Sequence, residues 1–189
     1  MKILSGRLRG RGIAFKANPH LRPTSDKVRK AIADILRPSI EGAHVLDLFS
    51  GTGALGFEAL SMGALWVTFV ESNKNQCRNI RENLDALGLT GEGDVIQDDA
   101  INAIEQMAVG EPFDLVFVDP PYQKGLGSAA MKALAASGIC RQDALVVLES
   151  ERREVFPETI GNFKTLKTKV YGDTKLMLYQ KVQRVAQAR

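Results

Sequence analysis

An α/β fold around a mostly parallel sheet, with helices on both faces, is what this sequence predicts. Three observations carry that expectation. From Ala43 onward, largely apolar strand-like runs alternate with segments of helical period, the pattern of strands buried on both faces. The first run leads into Gly51-Thr52-Gly53-Ala54-Leu55-Gly56, a glycine turn of the kind that joins a strand to a helix beside a ligand. Near the end of the chain, two strand-like runs meet at Gly172-Asp173 with no helix between them, which predicts an antiparallel hairpin at the sheet edge.

Residues 1–16 hold short extended stretches broken by Gly6, Gly10 and Gly12, with Arg7, Arg9 and Arg11 alternating. In a strand or small β-ribbon, that alternation puts three arginines on one face. A first helix follows. Thr24 or Ser25 caps it, Val28, Ile32, Ile35 and Leu36 recur at helical spacing, and Pro38 ends it. HVLDLF is then a strand, ALGFEALSM a helix, LWVTFVE a strand and NKNQCRNIRENLDAL a long amphipathic helix. DVIQ, FDLVFVD and ALVVLES are the next strands, separated by the helices AINAIEQMA and SAAMKALAA. With the hairpin KTLKTKVYGDTKLMLYQK, the sheet has seven strands. The chain divides into a basic ribbon over 1–20, one main domain over 21–182 and a fraying tail over 183–189.

At 189 residues, with 44% hydrophobic and 25% charged residues, this is a single globular domain with a real core. Cys77 and Cys140 lie far apart without a CxxC spacing, and His20 and His44 are the only histidines. Zinc, disulfide and Ser-His-Asp chemistry are therefore not expected, nor is any metal. No run of about 18 apolar residues is present, so no membrane partner is expected and the chain reads as cytoplasmic. The net charge of +3 hides an asymmetry: residues 1–41 carry ten Lys/Arg against three acids, and the remainder fifteen against nineteen. A basic front on a mildly acidic body suits docking to a polyanion.

The glycine turn is literally G-x-G-x-x-G, and Glu71 stands 20 residues beyond Gly51, where a nicotinamide enzyme places its ribose acid. The residues before it decide otherwise. Asp47 sits four positions ahead of Gly51. A pyrophosphate wants N–H donors and positive potential there, whereas an ammonium wants an acid. S-adenosyl-L-methionine carries an ammonium, a sulfonium and a ribose but no phosphate. Asp47 suits its methionine end, Gly51 and Gly53 let the backbone come close, and Glu71 accepts from the ribose hydroxyls. Asp47-Leu48-Phe49-Ser50-Gly51-Thr52-Gly53 resembles the D-x-F-x-G-x-G motif of class I S-adenosylmethionine-dependent methyltransferases, a Rossmann-like fold. The resemblance implies that Glu71 is the ribose acid and that Asp99, with Ala100, meets the adenine. Asp98 is a close alternative, and a helix N-cap is the other use of either acid.

The fourth strand ends Val116-Phe117-Val118-Asp119-Pro120-Pro121-Tyr122. Two prolines fix the backbone and leave carbonyl oxygens free to accept. Together with the Asp119 carboxylate and the Tyr122 ring, they form a socket for a planar group carrying an NH2. Stacking a base on the ring is worth about 1–3 kcal/mol. Oxygens accepting from both amino protons aim the nitrogen lone pair at a methyl held about 3–3.5 Å away, and a fixed carboxylate stabilises the charge that develops. The sequence resembles the [DN]-P-P-[YF] signature of methyltransferases acting on adenine N6, cytosine N4, guanine N2 or protein glutamine.

Three further stretches are similar to the bacterial RsmD family of ribosomal RNA guanine-N2 methyltransferases. They are Ile3-Leu-Ser-Gly-Arg-Leu-Arg-Gly-Arg-Gly12, Leu21-Arg-Pro-Thr-Ser-Asp-Lys-Val-Arg29 and Tyr171-Gly-Asp-Thr-Lys-Leu-Met-Leu-Tyr179. The resemblance implies methylation of a guanine 2-amino group in 16S ribosomal RNA, on a 30S particle or assembly intermediate. It also implies that Arg22, Pro23 and Thr24 close the cofactor site from the N-terminal side. The family often carries an aromatic inside the first helix, where this chain has Ala31-Ile32-Ala33. Arg7, Arg9 and Arg11 suit phosphate contacts, and Lys124 suits a phosphate flanking a guanine splayed into the socket. The rival readings are a DNA adenine or cytosine amino-methylase, a nicotinamide oxidoreductase and a non-catalytic RNA-binding protein.

Overall fold

The computed structural model describes residues 1–15, 24–107, 110–121 and 125–183. Five parallel strands form the body of the sheet: β1 (His44–Leu48), β2 (Trp66–Val70), β3 (Gly93–Ile96), β4 (Phe113–Val118) and β5 (Cys140–Glu151). Their connections carry α2 (Ala54–Ser61), α3 (Lys74–Ala86), α4 (Ala100–Gln106) and α5 (Leu126–Ala136), and α1 (Asp26–Leu36) precedes them. β6 (Thr159–Ile160), β7 (Phe163–Tyr171) and β8 (Thr174–Lys181) complete an eight-stranded sheet in the order β3-β2-β1-β4-β5-β8-β7-β6. β8 slots in antiparallel beside β5, and β7 and β6 follow antiparallel. The sheet holds one strand more than the seven expected, because β6 is two residues long and leaves no periodicity to read.

The sheet separates two cores. Leu36, Phe57, Phe69 and Ile80 fill the side covered by α1, α2 and α3, and Val116, Met131, Met177 and Tyr179 the side covered by α4 and α5. Within β1, β2 and β4 the last four residues are all buried, as parallel strands covered on both faces must be. α2 lies close on β2: a Cβ added at Gly56 would stand 2.2 Å from the Phe69 ring. The tilted Phe57–Phe69 pair, with ring centroids 5.2 Å apart, fills the space this approach leaves.

The N-terminal arginines do not share the face of a strand. Lys2 and Gly12 form a single antiparallel bridge, and residues between them turn through Gly6 (φ 74°) and Gly10 (φ 87°). α2 claims the backbone here. Glu58 accepts from Leu4 and Ser5 N–H at 2.8 and 3.1 Å, and Ser61 from Arg7 and Leu8 N–H at 2.7 and 2.9 Å. Arg7 ion-pairs with Glu92, while Arg11 donates to the Ala86 carbonyl at 3.3 Å. Glu92 immediately precedes β3 and Ala86 ends α3, so both contacts lie beside the N-terminal ends of the parallel strands. Arg9 is exposed.

Candidate active site

Strand order reverses on either side of β1, with β2 to one side and β4 to the other. A crevice at the carboxyl ends of the strands is the geometric consequence. It is a cavity of about 850 Å³. Every strand around it delivers an acid: Asp47 from β1, Glu71 after β2, Asp98 and Asp99 after β3, Asp119 after β4 and Glu149 from β5.

Asp47 is 2% exposed, and its Oδ2 accepts from the Gly56 N–H at 3.0 Å. Burial raises its carboxyl to about 8, the Gly56 bond opposes that rise, and the nearby charges of Asp119 and Glu71 add to it. Beyond β1 the backbone is sharply folded: Phe49 has φ 60°, Gly51 φ 54° and Gly53 φ 76°. A left-handed conformation at a phenylalanine is uncommon and persists only where the surrounding structure holds it. Ser50 fixes it, its N–H donating to Val70 O at 2.9 Å and its hydroxyl to Asp47 O at 2.6 Å.

Glu71 is held from two sides. Its Oε2 accepts from Gly51 N–H at 2.8 Å and its Oε1 from Asn73 N–H at 2.7 Å. Ser72 Oγ also donates to Oε1, at 3.5 Å; a carboxylate oxygen has two lone pairs, so Oε2 keeps acceptor capacity. Asp99 caps α4, its Oδ1 accepting from Ile101 and Asn102 N–H at 2.8 and 3.4 Å. Asp98 accepts in turn from Asp99 N–H at 2.7 Å. Both acids line the cavity with Ala100, so the N-cap and the cavity position coexist.

Asp119 follows the last residue of β4 and is half-buried. Burial raises its carboxyl to about 6, against the hydrogen bond from Thr24. That bond runs from Thr24 Oγ1 to Asp119 Oδ2 at 2.5 Å. The choice of cap explains it. Ser25, not Thr24, accepts from Val28 N–H to cap α1, which leaves Thr24 free to reach across to β4. Pro120 and Pro121 line the same cavity.

Among the described residues, the cavity lining includes seven acids and no lysine or arginine. A pyrophosphate would be repelled by that field. A ligand carrying positive charge and hydroxyl donors suits it.

Residues 1–180 match the family described as Conserved hypothetical protein 95. The ribosomal RNA small subunit methyltransferase D of Escherichia coli strain K12 is 35% identical over 181 residues, spanning 96% of this chain and 90% of that protein. The Haemophilus influenzae protein of the same name is 34% identical over 183 residues, spanning 95% and 93%. The solved structure of Escherichia coli yhhF superposes with a TM-score of 0.84 at 35% identity, covering 96% of this chain and 98% of that one. The chain belongs to the RsmD family.

The acids expected from the glycine-turn and DPPY motifs, Asp47, Glu71, Asp98, Asp99 and Asp119, converge on one cavity, with Gly51 and Thr24 lining it as well; Gly53, behind them, is the residue from which α2 starts. Arg22, Tyr122 and Lys124 lie outside the described residues. Two contributions were not anticipated. Glu149 is 4% exposed on β5 and lines the cavity; its signal was an acid closing an apolar strand, as at Asp47, Glu71 and Asp119. Tyr171 to Thr174 also line it. Because β8 starts beside the end of β5, pairing Thr174 with Glu151, the hairpin turn stands over the crevice. Cys77 is buried, and burial pushes the Cys140 thiol up to about 11. Among the described residues, no group of three or more His, Cys, Asp or Glu is placed to hold a metal ion, and no helix is long and apolar enough to cross a membrane.

Proposed function

We propose that this chain transfers a methyl group to the exocyclic 2-amino group of a guanine in 16S ribosomal RNA, within a 30S particle or an assembly intermediate. The methyl donor is S-adenosyl-L-methionine, which supplies an electrophilic methyl on a sulfonium. The observation that carries the reading is the placement of Asp119, Pro120 and Pro121 on the wall of the cavity that Asp47 and Glu71 also line. The names of the relatives, ribosomal RNA small subunit methyltransferase D, support the nucleic-acid class.

Asp47 holds the amine of the donor and Glu71 its ribose hydroxyls, with Asp99 and Ala100 beside the adenine. Arg22 and Thr24 close this side. Asp119 and a DPPY backbone carbonyl accept from the two amino protons of the base, with Tyr122 against its plane. Thr24 donates to Asp119 Oδ2 and fixes the carboxylate, which offers Oδ1 to the amine. The ionised carboxylate stabilises positive charge growing on nitrogen. Either Asp119 or water takes the proton at the end. Arg7, Arg9 and Arg11 contact RNA far from the target base, beside the other end of the strands, and Lys124 meets a flanking phosphate.

The test is label transfer to 16S RNA, 30S particles and duplex DNA, followed by mass-spectrometric mapping of the modified nucleotide. Guanine N2-methylation in ribosomal RNA is the expected product. Preferential labelling of duplex DNA, or a methyl on adenine N6 or cytosine N4, overturns the reading.

The raised carboxyl of Asp47 makes a second prediction. Below pH 8 it is largely protonated in the free protein. A ligand ammonium favours its carboxylate, so binding expels a proton. Affinity for S-adenosyl-L-homocysteine, which carries the same ammonium, therefore rises from pH 6 to 8 and then levels. Calorimetry in buffers of different ionisation enthalpy detects the proton release at pH 7. A flat affinity with no proton release contradicts the placement of Asp47 against the amine.

A further inference from the structure

β7 is an edge strand from Leu166 onward, since β6 pairs only with Phe163 and Lys164 and the Thr165 N–H donates to the Glu158 carbonyl at 2.8 Å. Its lysines stand at 164, 167 and 169. By simple alternation Lys164 would oppose the other two. The register shift between Thr165 and Lys167 changes that. Lys164 pairs with Gln180, Lys167 with Leu178 and Lys169 with Leu176. Positions 176, 178 and 180 of β8 face one side, so the extra residue gathers all three lysines there. This is the α1 side, where Leu176 and Leu178 pack with Ile32 and Ile35.

Tyr171 pairs with Thr174 and so continues the same row. It lines the cavity, and Lys27 Nζ of α1 lies 5.9 Å from its ring centroid. Lys27, Lys164, Lys167 and Lys169 are all exposed, and none forms an ion pair among the described residues. A row of unpaired positive charge about 20 Å long thus ends at the mouth of an acidic cavity. Lysines on either face would protect an edge strand from pairing; collecting them on one face is not needed for that.

We propose that the row Lys164–Lys167–Lys169, continued by Lys27 beside Tyr171, is a track for the RNA phosphate backbone that leads the target nucleotide to the cavity. The track rests on the methyltransferase reading above and adds a docking surface to it, distinct from the arginines of the N-terminal turn. Phosphate contacts position the strand without reading its sequence. An acidic cavity repels a phosphodiester, so the cations that hold the backbone must stand outside its rim, as these do.

The test compares wild type with K164Q/K167Q/K169Q and, as a second set, the three Lys→Glu changes. Binding to 16S RNA is measured between 50 and 200 mM salt, beside S-adenosyl-L-homocysteine affinity and thermal unfolding. Both variants should lose RNA affinity roughly tenfold or more at low salt. For the glutamine set, the slope of log affinity on log salt should fall by about 3. Cofactor affinity and melting should be unchanged, because the side chains are exposed. Unchanged RNA affinity in either folded variant overturns the track while leaving the enzyme reading intact, and so does a loss with an unaltered slope. If wild type binds S-adenosyl-L-homocysteine yet labels no ribosomal RNA or particle, the enzyme reading fails and the track falls with it.

Discussion

Asp119→Ala should lose methyl transfer by about 10³-fold or more while binding S-adenosyl-L-homocysteine nearly as well as wild type. Two contributions disappear together. One is the fixed acceptor that orients the amine, and removing a single preorganised hydrogen-bonding group from a reacting centre costs about 10²–10³ in rate. The other is the negative charge that opposes the positive charge forming on nitrogen. Asp119→Asn separates them, since the amide oxygen still accepts but carries no charge; it should fall between alanine and wild type. The pH profile identifies the group. The wild-type carboxyl is raised to about 6 by burial, and only its ionised form is an acceptor at both oxygens. Transfer at saturating cofactor should therefore climb as pH rises through about 6 and then level, and Asp119→Asn should lack that limb. Removing Asp119 also removes a charge that raises Asp47, so the pH dependence of cofactor binding should move to lower pH. Full activity in Asp119→Ala would take the chemistry away from this residue.

Much of the cavity could be read from the sequence because parallel strands end where ligands bind. A continuously apolar run needs no period to be recognised, and an acid at its end is conspicuous. That is why Asp47, Glu71 and Asp119 are legible in the sequence. Local ambiguity hid the rest. Thr24 and Ser25 are both cap-forming types, and the structure separates them: Ser25 accepts from Val28 N–H while Thr24 reaches Asp119. Alternation at Arg7, Arg9 and Arg11 mimics a strand, but two left-handed glycines and the acceptors of α2 fold that stretch into a turn. The lysines of β7 fail in the opposite sense. Their spacing breaks a period of two, and only the bulge restores their common face.

Arg29 is the clearest case of a charge whose meaning composition misassigns, and its removal should be strongly destabilising. Counted with the basic front of the chain, it reads as part of a polyanion surface. Its side chain is instead fully buried, bound to Glu58 at 2.9 Å, to Asp26 at 2.7 Å and to the Lys2 carbonyl at 3.1 Å. Glu58 joins α2 to the N-terminal turn through Leu4 and Ser5, so one ion pair fastens three parts of the chain. Burial already raises the Glu58 carboxyl, against the two backbone N–H groups and Arg29. In Arg29→Ala, that carboxylate is left buried without its counter-charge, a loss of about 3–5 kcal/mol when one partner of a buried pair is deleted. Urea unfolding measures it, and amide exchange at residues 1–14 should accelerate more than exchange in β1 or β4. Arg29→Met with Glu58→Gln removes both charges yet keeps an acceptor for Leu4 or Ser5. That double variant should recover most of the loss, because the cost lies in the stranded charge and not in the missing attraction. A single Arg29→Ala as stable as wild type would mean that Glu58 is satisfied without it, and that the turn is fastened by its apolar residues Ile3 and Ile13 alone.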